Sequence, residues 1–176
     1  MTPLMVQQAL IDELKEMFKG YEYKNAKGEM VPLNVYMQDT PVQKYVTPEY
    51  DEESETVDTY EEDEESEVPV PYIIVRLKNG GHTGNYEDPN VINIVLIVCI
   101  WDYGLENEGH VSVMNILQKI YERFAKNTDL RRIAVFNGQW VWARQEDDYY
   151  PFFIGSSSLS FNIPYIRKET YYGDYC

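Results

Sequence analysis

VINIVLIVCIW, residues 91–101, is the stretch on which the fold turns. Apart from Asn93 it is apolar at every position, so both of its alternating faces are apolar. A strand that reads this way is expected at the centre of a sheet, covered on both sides. Eleven residues are far too few for a helix to cross a bilayer.

On the N-terminal side of this run, PYIIVRLK at 71–78 reads as a neighbouring strand, and NGGHTGNYEDPN at 79–90 as a long Gly/Asn/Pro turn segment joining the two. After the central run, 102–109 is a polar loop. Val113, Ile116, Leu117, Ile120 and Phe124 then recur every three or four residues, which predicts a helix over 110–126. Residues 133–136 and 139–144 flank Asn137-Gly138 and predict a hairpin turning on that dipeptide. Residues 156–166 alternate at Leu159, Phe161 and Ile163 and predict a strand with Pro164 near its end. At the other end of the chain, Thr2-Pro3 supplies a cap and a first-turn proline. Val6, Leu10, Leu14, Met17 and Phe18 follow helical spacing, predicting a helix over 3–19 that stops at Gly20. VPLNVYMQD at 31–39 predicts a strand, with Pro32 suggesting a sheet edge.

Together these elements predict an α+β fold: a mostly antiparallel sheet of five to six strands flanked by two long helices. At 176 residues the chain reads as a single domain over 1–176, large enough for a sizeable core.

Residues 48–71, PEYDEESETVDTYEEDEESEVPVP, carry twelve carboxylates and no Lys or Arg. The formal net charge is −15, of which −12 falls between Glu49 and Glu67, leaving −3 on the remainder. So acidic a stretch cannot bury enough apolar surface to offset its ordering entropy, so 48–68 is expected to be a long acidic disordered insert. A calcium loop would need a glycine turn, and the run has no Gly. A DNA mimic acting through 49–67 is the sharper alternative. Clustered Lys and Arg are missing, which argues against conventional nucleic-acid binding. No basic amphipathic membrane helix is present, and MTPLMVQQAL lacks the charged region of a signal peptide. The two cysteines, Cys99 inside the apolar run and Cys176 at the end, imply no disulfide framework, which fits a cytoplasmic origin.

The sequence carries few residues in arrangements that suit catalysis or metal binding. Asp102, Glu106, Glu108 and His110 could be drawn as a metal site or as the centre of a hydrolase, but their spacing matches no ligand pattern, and acids at the mouth of a helix suit its dipole. Asp147-Asp148 reads as a surface turn and Cys99 as a core residue. NGGHTG joins two strands rather than opening a helix, which argues against a phosphate cradle. No catalytic residue, metal or cofactor is therefore expected. Trp140 and Trp142 alternate on a strand and read as cross-strand packing rather than base stacking. Sixteen tyrosines are many, and six fall at 149, 150, 165, 171, 172 and 175. Tyrosine gives large contact area at low entropy cost, so an aromatic tail at 168–176 suggests contact with other proteins.

PYIIVRLKNGG, VINIVLIVCIWDYGLENEGHVSVMNILQKIYERF and YYPFFIGSSSLSFNIPYIRKE, spanning most of 69–169, resemble the tail terminator (tail completion, neck) proteins of long-tailed bacteriophages. The acidic run lies outside that pattern. The resemblance implies a non-enzymatic structural protein of the virion, assembled in the host cytoplasm. Such a protein forms a homo-oligomeric ring, usually a hexamer, on the head-proximal end of the tail tube. The ring ends tube polymerisation and joins the tail to the head. Its implied partners are the tail tube protein, a head-completion or connector protein and, in a contractile tail, the sheath protein. DNA would pass through the lumen without specific binding, and no membrane is involved. A different head–tail connector component is the nearest alternative. A ring needs one patch to meet a different patch on the next copy. The candidates for such contacts are His82 and Tyr86 in the 79–90 arm, Trp140 and Trp142, the segment holding Tyr149, Tyr150, Phe152 and Phe153, and Tyr171 and Tyr172 in the tail.

Overall fold

The computed structural model describes residues 2–41, 69–82, 88–104, 108–145 and 149–164. The acidic run, Tyr86, Glu106, Asp147, Asp148 and the aromatic tail with Tyr171 and Tyr172 lie outside them. The fold is mixed α+β, with two helices on a curled sheet of six strands.

Helix α1 (Pro3–Met17) starts where the sequence predicts: Thr2 Oγ1 accepts the Met5 N–H at 3.4 Å and Pro3 opens the first turn. Helix α2 (Gly109–Lys126) presents Val113, Ile116, Leu117, Ile120 and Phe124 along one buried stripe. Both stripes join one core with Ile73 and Val75, with Ile92, Ile94, Leu96, Val98 and Ile100, and with Leu159 and Phe161. The two helices therefore share one face of the sheet. Glu13 holds them together, pairing with Arg123 Nε at 2.7 Å and Arg131 Nε at 3.1 Å, while Arg123 also donates to the carbonyl oxygens of Asn127 and Asp129.

The sheet contains β3 (Asn34–Met37), β4 (Tyr72–Gly81), β5 (Asn90–Trp101), β6 (Asp129–Leu130), β7 (Ala134–Arg144) and β8 (Phe152–Ile163), in the order β3-β4-β5-β8-β7-β6. β3 runs parallel to β4, and the other neighbouring pairs are antiparallel. A separate two-stranded ribbon, β1 (Glu22–Lys24) and β2 (Met30–Pro32), packs Tyr23 on the core. Its turn is held by Asn25 Oδ1, which accepts the N–H groups of Lys27 and Glu29 at 2.9 Å.

Five expectations need correction. The strand expected over 31–39 is two strands, one in the ribbon and one on the main sheet, with Leu33 between them. The 79–90 turn segment is shorter, because Asn79, Gly80 and Gly81 continue β4 and pair with Asn93, Ile92 and Val91. Gly80 is required there, since a Cβ would lie 2.8 Å from the Val91 carbonyl oxygen. Asn137-Gly138 turns no hairpin: the residues on both sides of it pair with β8 as parts of one strand. Phe136 faces Phe161 and Trp140 faces Leu159, so the intervening residues form a bulge, with Gly138 at φ 88° and Asn137 Oδ1 accepting the Gln139 N–H at 3.0 Å. The last strand begins at Phe152 and ends at Ile163, earlier at both ends than 156–166.

The fifth concerns the central strand itself. Ile92, Ile94, Leu96, Val98 and Ile100 are buried beneath the helices, whereas Val91, Val95, Ile97 and Trp101 on the other face are only half-buried. Among the described residues neither helix covers that second face. It divides into an apolar half, where Ile74 and Cys99 are buried beside Tyr36 and Tyr72, and a polar half, where Ser156, Ser158 and Ser160 oppose Ile97, Val95 and Asn93.

Candidate functional site

The end of the sheet at Trp101 gathers aromatic rings from three segments. β5 ends on Trp101, which stacks on Tyr103 at 6.0 Å with ring planes 14° apart. Tyr103 meets Tyr150 at 5.4 Å, and Tyr150 meets Phe153 edge-on at 6.4 Å. The Tyr149–Phe152 turn is closed by the Phe152 N–H on the Tyr149 carbonyl at 2.7 Å, and the Asp102 N–H ties the facing loop to the Pro151 carbonyl at 3.0 Å. The chain of rings ends in a wedge where Phe153 fills the space above Gly109 at the start of α2. Tyr103 is 65% exposed, and Tyr149 and Tyr150 are exposed beside it. The arrangement is a surface of large, rigid aromatic side chains, a residue class enriched at protein–protein contacts.

Tyr149, Tyr150, Phe152 and Phe153 thus come together, but not in equal roles. Phe153 lies on the core side, and Phe152 is half-buried opposite Trp101 on the other face. Trp140 is half-buried against Tyr121 of α2, with ring centroids 5.3 Å apart, so cross-strand and helix packing accounts for it. Trp142 is 54% exposed on the same strand. His82 follows the last residue of β4 at the opposite end of the sheet, roughly 30 Å away along ten residues of strand. The sequence reading missed Trp101 and Tyr103. Their signal was present in WDYG, an aromatic pair two residues apart at the exit of an apolar strand.

The second face has one chemically notable pair. The Tyr72 phenol and the Cys99 thiol face each other across β4 and β5 and hydrogen-bond. Burial pushes the Cys99 thiol up to about 11, with the Tyr72 hydrogen bond opposing. Tyr72 is also raised, first by burial and then by Cys99. Cys99 is therefore a protonated thiol at neutral pH, poorly suited to nucleophilic attack.

At the sequence's candidate metal cluster, Asp102 Oδ1 accepts the Gly104 N–H at 3.0 Å, Glu108 is the cap residue of α2 without a side-chain cap bond, and His110 is half-buried in the first turn. Among the described residues no group of three His, Cys, Asp or Glu side chains is arranged to hold a metal ion, and no described helix is long and apolar enough to cross a membrane. A cleft of about 200 Å³ lies between Pro3 of α1 and Leu77, Lys78, Gly80 and Ile92. Beside β4, the fully buried Gln7 donates to Gln38 Oε1 at 2.9 Å and to the Val75 carbonyl at 2.7 Å, and Gln38 Oε1 also takes the Leu77 N–H at 2.7 Å. This network secures β3 and the bulge after Leu77 rather than forming a reactive centre.

The described residues hold 12 Lys and Arg against 11 Asp and Glu, so the acidic surplus of the chain falls outside them. No protein-family model matches the sequence, and no curated protein matches it.

Proposed function

We propose that this chain is a structural protein of a phage virion, a tail terminator that forms a hexameric ring at the head-proximal end of the tail tube. The ring ends tube polymerisation and joins the tail to the head or neck. In this reading the fold is a mostly antiparallel sheet with two long helices, residues 48–68 are an acidic insert and 168–176 an aromatic tail. Tail tube protein binds one side of the ring, a head-completion or connector protein the other, and sheath protein joins where the tail is contractile. DNA crosses the lumen unbound, because a body with balanced charge releases few counterions on meeting phosphate.

The observation that carries the reading is the exposed aromatic end formed by Trp101, Tyr103 and Tyr150. It supplies a contact surface of large aromatic side chains. The pattern of PYIIVRLKNGG, WDYGLENEGHVSVMNILQKI and YYPFFIG supports it independently. Native mass spectrometry with the cognate tube protein, on the full chain and on a variant lacking residues 49–67, tests it. Rings in both samples support the terminator. A chain that stays monomeric with the tube protein, and captures DNA-binding proteins only when 49–67 is present, would replace it with an acidic decoy.

A further inference from the structure

Most of the outer side of β7 is left without a strand among the described residues. β6 covers only Ala134 and Val135, and the Thr128 carbonyl takes the Phe136 N–H at 2.8 Å. Beyond the bulge, Gln145 N–H bonds the Ile154 carbonyl at 3.1 Å. In an antiparallel ladder bonded pairs alternate, so Ala143 and Val141 turn their N–H and C=O groups toward Ser156 and Ser158 of β8. The N–H and C=O groups of Trp140, Trp142 and Arg144 therefore point away from the sheet. Val141 is 67% exposed, and Trp142, Ala143 and Arg144 are exposed with it. Edges are normally blunted by Lys, Pro or an inward charge, and residues 139–143 have none of these.

We propose that this edge pairs with the same edge of a second copy of the chain, antiparallel about a twofold axis through Trp142. That residue is the midpoint of the three whose backbone groups face outward, so the register uses all of them. Trp142 then lies opposite the second copy's Trp142, Trp140 opposite its Arg144, and Val141 opposite its Ala143. Each pair is compatible: indole on indole, a guanidinium over an indole face, apolar on apolar. No like charges are opposed, whereas a twofold through Arg144 would set the two guanidinium groups against each other. The edge is thus self-complementary in charge as well as in hydrogen bonding. A twofold contact closes after two copies, while a ring contact joins two different patches, so this inference stands apart from the ring reading. The contact is small, and the dimer forms with rising protein concentration.

Sedimentation velocity of the full chain over a wide concentration range tests it. The unaltered chain shifts from monomer to dimer. Trp142→Pro loses the dimer, because it removes an outward N–H and leaves the bonds to β8 in place. Val141→Lys, which places two lysines near the axis, loses it as well and guards against a folding failure in the proline variant. In a Cys176→Ser background, Trp142→Cys gives an oxidised disulfide dimer, since residue 142 meets itself only in this register. A chain that stays monomeric at every concentration overturns the proposal. So does a dimer, or a larger ring, that survives both Trp142→Pro and Val141→Lys; a surviving ring would leave the ring reading standing.

Discussion

Gly109 and Phe153 are packed so closely that a Cβ on residue 109 would lie 2.2 Å from Cδ2 of the ring. The absence of a side chain at the first residue of α2 is what lets the Phe153 ring sit between the helix and the exposed rings of Tyr150 and Tyr103. Gly109→Ala must therefore move an aromatic ring or the helix start, and overpacking of this kind costs about 1–3 kcal/mol. The urea midpoint should fall, the near-ultraviolet circular dichroism of the aromatic cluster should change, and Phe153→Leu in the same chain should recover part of the loss. An unchanged midpoint would show that the contact is not tight.

The Cys99 thiol sets a limit at high pH. Its folded value, about 11, lies above the ordinary value of 9.0, so between these pH values the folded chain holds a proton that the unfolded chain releases. Stability is then fully present below pH 9 and falls as the pH rises toward 11, by ~2 kcal/mol from this residue alone. Melting curves under reducing conditions from pH 8 to 11 should show a shallower decline for Cys99→Ala than for the unaltered chain, because the variant loses the thiol and with it the part of the upward Tyr72 shift that the thiol causes. Parallel curves would remove Cys99 from the account.

The β6–β7 turn is strained in a way that can be relieved. Arg131 and Arg132 stand at φ 49° and 61°, and the Ile133 N–H bonds the Leu130 carbonyl at 2.8 Å. Two successive residues in the left-handed region are ordinarily Asn-Gly. Arg131 is tied to Glu13, so Arg132 is the position to relax. Arg132→Gly should stabilise the fold by about 1 kcal/mol and raise Tm by about 2–4 °C. A fall in Tm would mean that the Arg132 side chain does more for the fold than this turn geometry implies.

That turn also illustrates what the sequence conceals. Helical periodicity made α1 and α2 legible, because a 3.6-residue repeat of apolar residues admits few other structures. β5 was legible as a strand but its surroundings were not: an apolar second face can be closed by a layer or only half-closed by neighbouring side chains, as Tyr36 and Tyr72 do beside Ile74 and Cys99. Asn137-Gly138 announces a positive φ, and both a hairpin and a bulge need one, so local chemistry could not choose between them. The arginine turn announces nothing, and β6 went unseen with it. At the candidate site, the YYPFF segment was legible from its density of rings. Trp101 and Tyr103 joined it only through the pairing of β5 with β8, which sets Trp101 opposite Phe152.

The most direct test of the central claim is electron microscopy of tails assembled in cells that lack this protein. Tubes of irregular and excessive length that carry no heads are expected, with normal length and joining restored when the protein is supplied. Tubes of uniform length joined to filled heads in its absence would contradict it.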